Sequence, residues 1–249
     1  MSKRLFTFGC SYTQYTWPTW ADILKECTEC KTYNFGRAGI GNVGIMHKII
    51  EADLKYKFTK DDVIAIVWSC WSREDRYHSG EWASHGNVFN NPLYDRKFIR
   101  KYWSYENDIV KNATAIICIN KLFSEIIGFQ GHIVSPGGSE PYEQPTSCNL
   151  QEEKLFNFYM EHIPITNIFK NNDLYEFDGH PSVLEHLEFV IDNVCQPLNI
   201  TVSSSTELYY RTLNTDIREI ADSSSNRQKK TNDIISYLSQ IKGPNCEKN

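Results

Sequence analysis

The run Val63–Trp68 (Val-Ile-Ala-Ile-Val-Trp) constrains the fold more than any other stretch of the chain. Six consecutive apolar residues, mostly β-branched or aromatic, offer no polar face to water, so the segment reads as a strand covered on both sides. Strands of that kind belong to parallel sheets with helices on each face. Residues 5–8 repeat the pattern and stop at Gly9, which suits a buried strand ending in a tight turn. Residues 32–35 and 132–135 are two further strand candidates. Helical patterns lie between them. One starts at Pro18 and shows Trp20, Ile23 and Leu24 on a single face. Another follows Asn42, a capping residue type, with Val43, Met46, Ile50 and Leu54 at helical spacing. Further helices fit residues 105–127, closing at Gly128, residues 151–160, and residues 183–195 behind Ser182. Alternating strands and helices with right-handed crossovers predict a three-layer α/β/α sandwich around a mostly parallel, flavodoxin-like sheet.

At 249 residues the chain can build one sizeable core, assigned to residues 1–200. Residues 72–104, rich in Trp, Tyr, Arg, Asn and Ser, read as an insertion. After residue 201 two serine-rich linkers surround weak helices over 207–221 and 231–241. This polar, partly helical tail, 201–249, is either an appendage for oligomerisation or a loosely ordered end.

Charge and composition narrow the function classes. The net charge is −5, and the densest basic cluster is only Arg227, Lys229 and Lys230, so no phosphate-neutralising groove is expected and nucleic acid is not expected as the main partner. No apolar run is long enough to span a bilayer. The N-terminus passes from Met-Ser-Lys-Arg straight into a strand, unlike an export signal, so a cytoplasmic or virion-associated protein is expected. Of eight cysteines, Cys27 and Cys30 form one CxxC, but nothing supplies a second ligand pair, so reduced thiols and no metal are expected. Gly39, Gly41 and Gly44 satisfy G-x-G-x-x-G. They follow the second strand, however, and no acidic residue ends the third, so no dinucleotide cofactor is expected.

Ser11, the glycine turn over 36–44, the stretch 69–73 and the loop after residue 136 all follow predicted strands. In a parallel sheet they gather at one edge. Ser11, just after a strand and a glycine, can project into a cleft with its N–H aimed at an oxyanion. A nucleophilic serine needs a base, and Asp178-Gly179-His180 supplies an imidazole with a nearby carboxylate to fix its tautomer. His186 is the second candidate base. Alone, each piece has a plainer reading: a capping serine, an Asp-Gly turn, a surface histidine.

Together the pieces resemble the SGNH/GDSL hydrolase superfamily over residues 4–196. Gly9-Cys10-Ser11 is similar to its first block, Asn34 to Gly39 to its second, and Asp178 with His180 to its last. The resemblance implies Ser11 as nucleophile, His180 as base and Asp178 as its orienting carboxylate. It also implies an oxyanion hole from the Ser11 and Gly39 N–H groups, and no cofactor. The family's third block places an asparagine after the third strand, where this chain has Trp71, leaving Ser69, Ser72 or Arg73 as stand-ins. Loss of one such donor costs about 10²–10³ in rate. The Asp–His pair is also one residue closer than usual. Residues 8–13 and 17–22 further resemble phage-encoded SGNH-like proteins.

A serine esterase acting on a small ester or an O-acetylated glycan is therefore expected, with Tyr12, Asn42, Trp71 and Trp82 contacting substrate. Trp82, Tyr94, Tyr102 and Trp103 either line a sugar cleft or pack the insertion's own core. The alternatives are a catalytically weak glycan-binding or virion module, and an acyltransferase using the same Ser–His pair.

Overall fold

The computed structural model describes residues 3–70, 73–87, 89, 94–133, 173–241 and 243. Trp71, Ser72, the strand residues expected at 134–135, the loop over 136–145 and the helix near 151–160 lie outside the described residues.

Among the described residues, four parallel strands form the central sheet in the order β2-β1-β3-β6: β1 (Arg4–Phe8), β2 (Lys31–Asn34), β3 (Val63–Trp68) and β6 (Ile127–His132). β1 and β3 are the most deeply buried, as their mostly apolar sequences require, and Thr7 is the one buried polar residue in them. A bidentate pair between the Arg4 guanidinium and Asp62, 2.7 and 2.6 Å, ties the start of β1 to the start of β3.

Helices α1 (Trp20–Glu26) and α2 (Asn42–Tyr56) follow β1 and β2. The chain steps outward from β1 to β2 and then back across to β3, so right-handed crossovers put the two helices on opposite faces. The hairpin β4 (Arg73–His78) and β5 (Glu81–Asn87) forms a separate antiparallel sheet, and the short α3 (Arg96–Tyr102) follows it. These elements make up the described part of the insertion. Helix α4 (Tyr105–Phe123) packs beside α2. On the other face α1 meets α5 (Val183–Phe189), which runs on through a π-helical turn, Val190–Val194, into α6 (Cys195–Leu198). The result is a three-layer α/β/α sandwich.

Two boundaries differ from the pattern reading. Helix α4 stops at Phe123, and β6 begins at Ile127 rather than 132. Gly128 does not end the helix. It lies within β6, where a Cβ would come 2.8 Å from a Val63 methyl. The cap of α2 also differs. Gly41 occupies the N-cap position, and the Asp75 carboxylate of β4 accepts the Gly41 N–H at 3.0 Å and the Gly44 N–H at 2.8 Å. A side chain more than 30 residues away in sequence does the work assigned to Asn42.

Helices α7 (Ser204–Ser223) and α8 (Arg227–Leu238) pack back on the domain. Tyr210, Leu213, Ile217 and Ile234 are buried with Leu187 and Val190 in the same core. Their spacing, 210, 213, 217, is the inward stripe of an amphipathic helix. Among the described residues no helix is long and apolar enough to cross a membrane.

Candidate active site

Ser11 sits in the turn that leaves β1. The Thr13 N–H (2.9 Å) and Gln14 N–H (3.2 Å) both bond the Cys10 carbonyl, which closes the turn. Gly9 is obligatory there, because a Cβ would lie 2.8 Å from the Val67 carbonyl oxygen and on top of the Thr13 hydroxyl. The second turn is sewn to the first. Arg37 N–H donates to the Gly9 carbonyl (3.0 Å), and the Asn34 amide donates to the Thr13 carbonyl (2.8 Å) while accepting the Gly36 N–H (2.8 Å). Gly39 has φ +77°, a left-handed conformation that favours glycine, and its carbonyl accepts from Gly86 of β5 (2.9 Å). Among the described residues, neither the Ser11 N–H nor the Gly39 N–H donates to another protein group. Both remain free to meet an anionic oxygen.

The loop bearing Asp178 and His180 is a tight turn. Asp178 N–H and Gly179 N–H both reach the Tyr175 carbonyl (2.9 and 2.7 Å), and Gly179 has φ +78°. His180 Nδ1 bonds Asp178 Oδ1. The Tyr15 hydroxyl donates to the same Oδ1 (2.7 Å), and Arg227 at the start of α8 donates to Oδ2 (2.7 Å). The His180 ring stacks on Tyr15 at 3.9 Å and meets the edge of Tyr12, the neighbour of Ser11, at 5.7 Å. Trp17 Nε1 donates to the Pro181 carbonyl (2.9 Å), so the turn after β1 and the Asp–His loop hold each other.

Electrostatics follow from these neighbours. Burial pushes the Asp178 carboxyl up, but the bonds from Tyr15, Arg227 and His180 outweigh it and hold the pKa below the usual carboxylate value. Burial lowers the His180 pKa, and the Arg73 and Arg227 cations add to that. Asp178 opposes them without winning. His180 is thus neutral near pH 7, with its Nδ1–H given to Asp178 and a lone pair on Nε2.

The other expected residues are placed unevenly. Arg73 opens β4. Its guanidinium donates to the Ile40 carbonyl (3.1 Å) and lies within electrostatic reach of Tyr12 and His180. Asn42 and Ser69 meet where β3 ends. Both are fully buried and bonded to each other: Ser69 N–H donates to Asn42 Oδ1 (2.6 Å) and Asn42 Nδ2 to the Ser69 carbonyl (2.9 Å). These two bonds lock the end of β3 to the start of α2. They take one amide N–H of Asn42, while the Ser69 hydroxyl is buried with no hydrogen-bond partner among the described residues. Trp82 packs against His47 of α2 (4.5 Å) and Tyr77 (5.6 Å), apart from the cleft that Tyr94 and Tyr102 help to line. Trp71 lies outside the described residues. His186 is 1% exposed on α5 and held neutral by burial, its pKa pushed down to about 3. It packs against Tyr12 (6.5 Å) as a core group.

Sequence reasoning missed Tyr15, Asp75 and Arg227. Arg227 had a signal, since it leads the densest basic cluster and so invited a search for a distant carboxylate. Tyr15 and Asp75 had none. Among the described residues no cluster of His, Cys, Asp and Glu is arranged to hold a metal ion.

No protein-family model matches the chain, and no curated protein does. Among solved structures, a member of the lipolytic protein G-D-S-L family from Veillonella parvula is similar at 15% identity and a TM-score of 0.42. The match spans 76% of this chain and 94% of that one. A likeness that distant says nothing of function, and only the site's own geometry bears on it.

Proposed function

We propose that the protein is a serine ester hydrolase of the SGNH type. The observation that carries this reading is the Asp178–His180 pair, stacked on Tyr15 and meeting the edge of Tyr12, beside a turn in which the Ser11 N–H has no acceptor among the described residues. Ser11 Oγ attacks an ester carbonyl while His180 Nε2 takes its proton. Asp178, bonded at Nδ1, keeps the tautomer and stabilises the imidazolium. The N–H groups of Ser11 and Gly39 receive the developing oxyanion, with the Arg73 cation nearby. His180 then protonates the leaving alcohol, and water, activated by the same base, releases the acid from the acyl-serine.

An O-acetylated glycan is the substrate class we favour. Beside β4, Glu74, Arg76, Tyr94, Phe98, Tyr102 and Trp103 line a cleft of about 380 Å³. Tyr94 stacks on Phe98 (5.0 Å), and Phe98 and Tyr102 stay exposed, presenting flat rings beside charged hydrogen-bonding groups. A sugar needs that combination of surfaces.

Hydrolysis of a short aryl ester, and acetate release from acetylated oligosaccharides, test both levels. Ser11→Ala and His180→Ala are each expected to lose about 10³-fold or more in kcat. Turnover at wild-type rates in both variants would overturn the mechanism. Aryl-ester turnover without acetate release would overturn only the glycan.

A further inference from the structure

We propose that Arg227, at the start of the C-terminal helix α8, is a positioning residue that fixes the Asp178 carboxylate against His180. This rests on His180 being the general base proposed above.

Residues 173, 175, 177 and 178 of the loop that carries Asp178 are all held by the helical pair α7–α8. Arg218 pairs with Asp173, and its guanidinium lies over the Tyr175 ring at 5.4 Å. The Tyr175 hydroxyl donates to Asn214 Oδ1 (2.9 Å), and Lys230 lies over the Phe177 ring at 5.7 Å. Arg227 completes the series on Asp178 itself. Its backbone is fixed at the first turn of α8 by the Asn226 cap, which accepts the Lys229 N–H at 3.0 Å.

The division of labour at the carboxylate gives Arg227 its role. Asp178 Oδ1 accepts from Tyr15 and His180, which leaves Oδ2 as the one oxygen that can swing the group out of register. A carboxylate turns easily about its terminal torsion. A guanidinium on Oδ2 stops that rotation and keeps Oδ1 aimed at Nδ1. The Asp178 side chain is 5% exposed and that of Arg227 is 66% exposed. An ion pair so open to water adds little to stability, which makes its placement at this carboxylate the more telling feature.

The test is an NMR titration of His180 in the full chain, with kcat/KM against pH in parallel, for the wild type, Arg227→Ala, Arg227→Lys and Arg218→Ala. The groups facing His180 are Asp178, Tyr12, Tyr15, Trp17, Arg73, Arg227 and His186. Of the two cations among them, only Arg227 is removed. Arg227→Ala is expected to lower kcat/KM by about two- to fivefold. It should also lower the His180 midpoint, because a loosened Asp178 supports the imidazolium less. A rise, the mark of a lost cation alone, would overturn the positioning role. Arg227→Lys, which keeps the charge, should return the midpoint most of the way. Arg218→Ala loosens the same helices without touching Asp178, and should titrate like wild type. An unmoved midpoint in Arg227→Ala, or an equal shift in Arg218→Ala, would overturn the proposal. A chain with no esterase activity whose His180 still responds to Arg227 would sink the esterase reading and leave the positioning intact.

Discussion

Asp75 is the residue through which the hairpin acts on the site, and its removal has a calculable cost. One carboxylate accepts Gly41 N–H (3.0 and 3.1 Å), Gly44 N–H (2.8 Å) and the Ser84 hydroxyl (2.7 Å). Two of those donors belong to the first turn of α2 and have no intrahelical acceptor. Losing an N-cap interaction costs about 1 kcal/mol, up to about 2. Losing negative charge at a helix N-terminus costs roughly 0.3–1 kcal/mol. The Ser84 bond adds about 1 kcal/mol. Asp75→Ala is therefore expected to destabilise the fold by about 3 kcal/mol, less whatever water restores to these half-buried groups. For a chain of this length about 1 kcal/mol moves Tm by roughly 2–4 °C, so a fall of about 6–12 °C is expected in a calorimetric melt. Asp75→Asn, which keeps one acceptor oxygen, should fall about half as far. A change below about 2 °C in Asp75→Ala would refute the idea that the hairpin caps α2.

Three further outcomes follow from the same geometry. Because His180 is held below the ordinary histidine value by burial and two cations, kcat/KM should be flat above pH 6.5 and fall only at lower pH. An acid limb centred above 6.5 would contradict the environment described. His132 and His186 are buried neutral, their pKa values pushed down to about 4 and about 3, while the unfolded chain binds protons near 6.5. The stability they support is thus complete above pH 6.5 and is lost as pH falls toward 4. Urea melts near pH 5 should show a slope of about 3 kcal/mol per pH unit from the pair, roughly halved in His186→Asn, and pH-independent melts would count against it. Gly9→Ala forces a methyl onto the Val67 carbonyl and the Thr13 hydroxyl, so a loss of about 1–3 kcal/mol in chemical denaturation is expected, and wild-type stability would refute the close approach.

What the sequence disclosed, and what it did not, divides by range. β1 and β3 are legible because a strand buried on both faces must be apolar at nearly every position, a purely local requirement. The Asp178–His180 contact is legible for the same reason, since only Gly179 separates the two. Asn42 shows the limit. A polar residue before an apolar helix looks like a cap, yet its amide is spent on the backbone of Ser69, 27 positions away. Asp75 and Tyr15 were invisible as partners, and Arg227 showed only as part of a basic cluster, because each acts on a group more than 30 residues distant, and no spacing encodes such a contact. Residues 204–238 looked polar because only one stripe of each helix faces inward. Averaging over the segment hides Tyr210, Leu213 and Ile217.

The most direct test of the central claim is covalent. The wild-type chain, Ser11→Ala and His180→Ala are each treated with a fluorophosphonate, and the labelled site is located by intact mass and peptide mapping. An activated Ser11 predicts one adduct on Ser11 in the wild type, and none in either variant. A folded wild-type chain that takes no label, or takes it on another residue, would contradict Ser11 as the nucleophile.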